Sequence, residues 1–356
     1  MDTTTRPGRI DAFDYLRGFF IIVIVIDHLY RWPSFLSIFT GEGMLWANAA
    51  DGFLIISGLL VGYIRGYKAL LQPFKSVAAK LGRRAGSLYV WSVGLTVLLA
   101  AIQWGLSFKF PMPNITPATG DWLDLVISSL TLAYAHPWIY FLHLYAIFML
   151  LAIGVVWLLR HKLGWLALAL SLVGLAIGNL YSIEWLEKQS LFLIPAIAGF
   201  SIDSIRHQIE TMRTSVRRTL IVTLITTLVT TVTFSALWRF MPELFSTGVY
   251  TTIDTIFRRQ PMGLGATVIA FVWFIGLFAL FTVLLAPIKR YLGWLLLPFG
   301  RRSLAAYILH CVPLLITSYL FATSDNIWFN TLLGIFSIFS VLLLLQIPFV
   351  RRIMPQ

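Results

Sequence analysis

The sequence predicts an all-α, polytopic membrane helix bundle. Three observations carry that reading. Hydrophobic residues fill 58% of the 356 positions and charged residues only 12%, about half the share that soluble domains carry. Mean hydropathy is +0.83. The apolar residues fall in repeated runs of about twenty, the length at which a helix crosses a hydrocarbon core.

Taken in order, the predicted spans are 17–36, 45–64, 86–106, 138–159, 163–183, 189–205, 218–239, 263–286, 303–323 and 327–349, about ten transmembrane helices. A further run, 122–135, is short and opens with Asp121-Trp-Leu-Asp124. Basic residues arbitrate the topology, because Lys and Arg gather on the cytoplasmic side of membrane proteins. With both termini inside, the inner segments collect 21 of the 27 Lys and Arg residues. These begin with Arg6, Arg9 and Arg17 and end with Arg351 and Arg352. Counting 122–135 as a span would reverse everything after it, so it reads as an interfacial or re-entrant helix on the outer side.

The net charge of +12 is therefore a topology signal and not a nucleic-acid footprint. The single cysteine, Cys311, excludes an intramolecular disulfide. Asp2, Asp11 and Asp14 precede the first apolar run and no small-residue cleavage site follows it, so it reads as a retained helix and not a signal peptide. With no tandem repeat or low-complexity tract, residues 1–356 read as a single membrane domain. The outer segments differ from the inner ones. They hold Glu42, Asp121, Asp124, Glu184, Glu187 and Glu243, with Trp104, Trp122, Trp138 and Trp185 among their aromatics. Two are long: 107–137, with Pro111, Pro113 and Pro117, and 240–262, which breaks the charge rule with Arg258-Arg259. Polar and aromatic loops suit a carbohydrate-facing mouth, although Trp and Tyr also form the ordinary interfacial belt.

Residues that could carry chemistry concentrate in 9–62. The first span carries Arg17 and, eleven positions on, His28. At about 100° and 1.5 Å per residue the two share one helix face, roughly 16 Å apart. Asp14 is placed to pair with Arg17 at the start of the helix, and Asp27 precedes His28. Ionisable groups at this depth usually face a bundle interior or a watery cavity and mark function. A neutral imidazole can take a proton from a hydroxyl and return it to a leaving group, which makes His28 the candidate base. Asp27, about 100° around the helix, cannot easily orient it from the same face. Asp51 in the second span reads either as the better orienting acid or, with only five or six residues of the span before it, as a carboxylate at the membrane edge. Ser57, Gly58 and Gly62 give that span a small surface, read as close helix packing more readily than as catalysis.

Lys80, Arg83 and Arg84 open the third span, either as inner-face anchors or as a site for the phosphates of a donor such as coenzyme A. His310 repeats the first-span design, a histidine inside a span that begins with Arg301 and Arg302, with Tyr307 one turn before it. His143 lies near the outer end of its span and could reach the mouth. His136, His161 and His207 receive no role. No metal-ligand spacing, Walker loop or dinucleotide fingerprint occurs, so no metal and no tightly bound cofactor are expected, and ATPase and oxidoreductase readings lose support.

These pieces resemble a known family. Asp14-Tyr-Leu-Arg17-Gly18 with His28 is similar to the opening signature of the acyltransferase-3 integral membrane acyltransferases. Asp51-x-Phe53-x-x-x-Ser57-Gly58 resembles the family's second-helix motif, and Gly300-Arg-Arg-Ser303-Leu304-x-x-Tyr307-x-x-His310 its late motif. Phe141-Leu-His-Leu-Tyr-Ala-Ile-Phe-Met-Leu and Gln189-Ser-Leu-Phe resemble the OpgC-like branch, succinyltransferases of periplasmic glucans. The resemblance implies an acyl-CoA donor from the cytoplasm and transfer of an acetyl or succinyl group to a hydroxyl of an extracytoplasmic glycan or other envelope acceptor. The setting would be the bacterial inner membrane. It implies His28 as base, Arg17 supporting the site and Asp51 as the motif's acid. The family often carries a further arginine in helix three; here that slot, around Ser87, is not basic. A proton-coupled transporter or flippase for an envelope precursor is the alternative, because intramembrane Arg, Asp and His also serve carriers.

Overall fold

The computed structural model describes residues 11–106, 120–259 and 262–354. Arg6, Arg9 and the proline-rich outer segment 111–117 lie outside the described residues. The chain is an all-α polytopic membrane bundle: eight described helices are long and apolar enough to cross a membrane.

The first helix, α1 (Asp11–Leu29), begins six residues earlier than the apolar run predicts. Asp11 and Asp14 sit in its first turn, where carboxylates suit the positive end of the helix dipole. Arg17 is thereby placed two turns inside it. The helix stops at Leu29 and not at 36, because Pro33 cannot continue it and the residue before a proline avoids the helical region. Helix α1 carries the charged residues Asp11, Asp14, Arg17 and Asp27, yet most of its residues are buried. It is the axis of the bundle and not a lipid-facing helix.

The second helix, α2 (Ala49–Val61), runs into a π-helical turn at Gly62–Tyr67. It is capped by Asn48 and Asp51, each side chain accepting from the other's backbone N–H. Helix α3 (Phe74–Leu106) extends twelve residues below the expected span, so Lys80, Arg83 and Arg84 lie on a helix and not in a loop. The short α4 (Trp122–Leu130) has nine residues, too few to cross the core. Helices α5 (Tyr140–Arg160) and α6 (Gly164–Tyr181) follow.

The expected span 189–205 is instead α7 (Ser190–Phe200), eleven residues with Pro195 inside, followed by a polar helix at Ile202–Thr211. At 1.5 Å per residue it covers only about 16 Å. Helices α8 (Thr214–Phe240) and α9 (Leu264–Val283) pack on each other, and α9 also packs against α1 and α2. Then come α10 (Gly293–Arg301), α11 (Ser303–Leu309), α12 (Cys311–Leu320) and α13 (Ile327–Leu344). Helices α11 and α12 are one span loosened at His310. Pro313 lacks the N–H that would close the turn onto residue 309.

Packing places α1 against α10, α2 against α7, and α3 against α5. Gly18 and Gly300 allow the first contact: a methyl group on Gly18 would stand 2.0 Å from the Leu296 carbonyl oxygen. Arg17, the 303–310 segment and the start of α2 are thereby gathered around one axis. The end of the bundle that carries Arg65, Arg84, Arg160, Arg301 and Arg302 is called the basic end below.

Candidate active site

Two cavities of different chemistry lie along α1. The first, about 250 Å³, opens at the basic end. Five arginines line it: Arg17, Arg65, Arg84, Arg301 and Arg302. Arg17 donates to Ser303 Oγ at the start of α11, and its guanidinium lies 5.6 Å from the centre of the Phe53 ring. Ser57 Oγ faces this cavity region buried and without a protein partner. So many guanidiniums around so small a volume suit a polyanion, since each presents a planar fork of donors to phosphate oxygens.

The second cavity, about 110 Å³, is lined by His28, Asn48, Asp51, Tyr140, Lys188 and Arg259, with apolar walls. Asp51 sits at its edge as a carboxylate only 3% exposed, paired with Arg259 at 2.8 Å. The same Asp51 oxygen accepts the Asn48 backbone N–H at 2.9 Å, so the residue that caps α2 also anchors Arg259. Arg259 donates a further bond to the Trp46 carbonyl at 3.1 Å. On the facing wall Tyr140 donates to Glu184 at 2.7 Å, and Lys188 pairs with Glu184 one turn away. Burial works against the Glu184 charge, but the Lys188 ammonium and the bonds from Lys188 and Tyr140 hold its carboxyl below the usual range.

His28 reaches this cavity from α1, and its partner is His310. The two rings meet Nδ1 to Nε2 at 2.9 Å. His310 Nδ1 contacts the Tyr307 carbonyl of the preceding turn, and Tyr307 Oη donates to the Trp138 carbonyl at 2.8 Å. His136, next to this group, accepts the Trp138 N–H at 3.3 Å and so caps the turn that leads into α5. Burial, with His310 nearby, pushes the His136 imidazole down to about 3. It is therefore neutral around neutral pH.

Between the cavities lies a thin aromatic layer. Phe53 meets Phe141 edge-on at 5.2 Å, and Phe141 touches Tyr307 at 5.4 Å and Tyr145 at 5.6 Å. Tyr145 lines the basic cavity, whereas Phe141 and Tyr307 line the other.

The structure thus brings Arg17, Ser57, Arg84 and Ser303 to one cavity and His28, Asp51 and Tyr307 to the other. Other sequence candidates fall elsewhere. Lys80 donates to Gln72 at 2.9 Å and Arg83 to its own helix, so neither joins the basic cavity; Arg65, Arg301 and Arg302 take their place. Asp27 faces Gly43 and Thr40 and not the His28 cavity. His143 is buried beside Tyr140 and lines neither cavity. The expected orienting acid, Asp51, makes its bonds to Arg259 and Asn48 while His310 holds His28, because the two rings are on adjacent helices and the carboxylate is committed to a cap. Arg259, Lys188, Tyr140 and Asn48 received no role in the sequence. The one signal was Arg258-Arg259 as an exception to the charge rule. Among the described residues no group of His, Cys, Asp and Glu could hold a metal ion.

No curated protein and no solved structure matches the chain. A family model described as OpgC protein matches residues 9–350, which takes in every helix named above and both cavities. The chain belongs to the OpgC protein family.

Proposed function

We propose that this membrane protein is an O-acyltransferase of the bacterial inner membrane, moving an acetyl or succinyl group from acyl-CoA to a hydroxyl of an extracytoplasmic glycan. Membership of the OpgC family supports a glucan-modifying acyltransferase in outline. The observation that carries the finer reading is the pairing of two unlike cavities on one helix face: five arginines at Arg17, and a histidine with sugar-compatible polar groups at His28. The basic end faces the cytoplasm and takes the donor's phosphates. The acceptor enters the cavity of His28, Tyr140, Lys188 and Arg259.

In the reaction His28 removes the acceptor's hydroxyl proton as its oxygen attacks the thioester carbonyl. A C–O bond forms, the C–S bond breaks, and the proton passes from His28 to the departing thiolate. Positive charge from Lys188 and Arg259 favours the oxyanion that forms between the two steps.

The test is thermal stability and transfer with detergent-purified protein. Coenzyme A, acetyl-CoA and succinyl-CoA are each expected to raise the melting temperature of wild type, since a ligand bound to the folded state stabilises it by mass action. Arg84→Ala should weaken that shift. His28→Ala should keep it and lose transfer of labelled acyl groups to glucan by about 10²-fold or more. Full transfer by His28→Ala removes the base. No shift with any donor turns the reading toward a carrier of an envelope precursor.

A further inference from the structure

We infer that His310 is a positioning residue that fixes the tautomer of His28, so that Nε2 of His28 is the atom that takes the acceptor's proton. The inference rests on the acyltransferase reading above and deepens it to a single nitrogen.

A chain of contacts leads from the Tyr307 carbonyl to His28, and its polarity is set by a group that can only accept. The Tyr307 carbonyl has no proton to give, so His310 Nδ1, which contacts it, carries one. A neutral imidazole has a single N–H, which leaves His310 Nε2 as a lone pair. That lone pair lies 2.9 Å from His28 Nδ1, so His28 Nδ1 carries the proton and donates it. The remaining nitrogen, His28 Nε2, is then unprotonated, and His28 lines the cavity of Asp51 and Arg259. The Cys311 sulfur approaches His310 Nδ1 only to 4.0 Å and does not compete with the carbonyl.

The fold holds each link. Tyr307 lies in the last turn of α11 and His310 follows directly at the C-cap of that helix, and Tyr307 is itself tied to Trp138. His310 is fully buried, as is Trp138. The loosened helix at His310 gives its ring access to the 307 carbonyl, one turn back. When His28 accepts a proton at Nε2, the Nδ1–H bond to His310 persists and strengthens, because the donor is now charged. An imidazole oriented through its second nitrogen by a fixed acceptor is a general device of histidine bases.

The test compares His310→Ala, His310→Gln and His28→Ala in donor-binding protein. Glutamine places Oε1 three bonds from Cβ, where histidine has Nε2, and can accept from His28 Nδ1. Expected are a fall of about 10²–10⁴-fold in kcat for His310→Ala with the donor KM unchanged, and recovery of most of it in His310→Gln. Histidine-selective ¹⁵N spectra, assigned by the resonance lost in His28→Ala, should show His28 protonated at Nδ1 in wild type. A wild-type kcat in His310→Ala overturns the inference. So does a His310→Gln as slow as His310→Ala while both bind donor, or a wild-type His28 protonated at Nε2. Transfer retained by His28→Ala would instead sink the base itself, whatever the His310 variants do.

Discussion

Asp51 does two jobs through one carboxylate oxygen: that oxygen caps the Asn48 N–H, while Asn48 caps the Asp51 N–H in return, and it also holds Arg259. Truncation to alanine removes the cap and leaves Arg259, a guanidinium with 21% of its side chain exposed, without its carboxylate. Breaking a partly buried pair in this way is expected to cost about 3 kcal/mol. Arg259→Ala should cost less, because the capping bonds of Asp51 survive, and the double substitution should lose less than the sum. Thermal unfolding of the three variants measures this; additive losses would mean that the pair carries no coupling. His136 offers a second residue-scale measurement. Its imidazole is held neutral down to about pH 3, whereas in the unfolded chain it protonates near 6.5. Below 6.5 the unfolded state binds the extra proton, so the stability His136 contributes is present above that pH and is lost as pH falls toward 3. His136→Asn keeps a capping acceptor for Trp138 and should flatten the decline in melting temperature between pH 6.5 and 4. An unchanged slope would assign the decline to other groups.

Helix contacts set how close the two cavities come, and glycines set the contacts. A methyl group on Gly58 would stand 2.0 Å from the Phe192 carbonyl oxygen, and one on Gly62 1.8 Å from that of Ala196. Both obstacles are backbone, so α2 and α7 must separate. Gly58→Ala and Gly62→Ala are each expected to destabilise by about 2–3 kcal/mol. Gly82 and Gly86 in α3 meet nothing within 4 Å, and alanine there should be neutral or stabilising by about 0.5–1 kcal/mol. Melting temperatures that fail to separate the two pairs would mean that the α2–α7 contact yields more easily than a backbone contact should.

The same elements show what was legible in the sequence. Ser57, read together with Gly58 and Gly62, lines the basic cavity, whereas the two glycines read as close packing because residue size alone decides it. The apolar runs announce most spans for the same reason. The failures have physical causes: α1 starts early because its charges face a bundle interior that hydropathy cannot see, and 189–205 splits because Pro195 and the polar residues after Phe200 end it. His28 and Arg17 stand out as ionisable groups in an apolar helix. His310 stands out in the same way, but its pairing with His28 does not, since the two are 282 residues apart, and Arg259 is 208 residues from its partner Asp51. Pairing at that distance is a property of packing, and Arg259 is visible beforehand only as a charge on the wrong side.

Across the whole molecule the two cavities are held apart by little. On α2, Ser57 lines the basic cavity and Leu54 the other; on α11, Ser303 and Tyr307 do the same. Three or four residues is about one helical turn, roughly 5 Å. Phe141 is the centre of that layer, in ring contact with Phe53, Tyr145 and Tyr307. Under the proposed reaction the layer has two tasks. It must let a narrow thioester arm meet His28, and it must keep water from following it, since water in place of the acceptor hydroxyl gives hydrolysis. Phe141→Ala removes the ring that touches all three neighbours. The expected result is coenzyme A release without acceptor at a rate about tenfold or more above wild type, with donor binding at the arginines unchanged. That release should vanish in the Phe141→Ala/His28→Ala double variant, because the attacking water needs the same base. Release that persists without His28 would place the hydrolysis at the basic cavity and remove the aromatic layer from the donor's path. Release at the wild-type rate in Phe141→Ala would show that Phe53, Tyr145 and Tyr307 seal the wall without it.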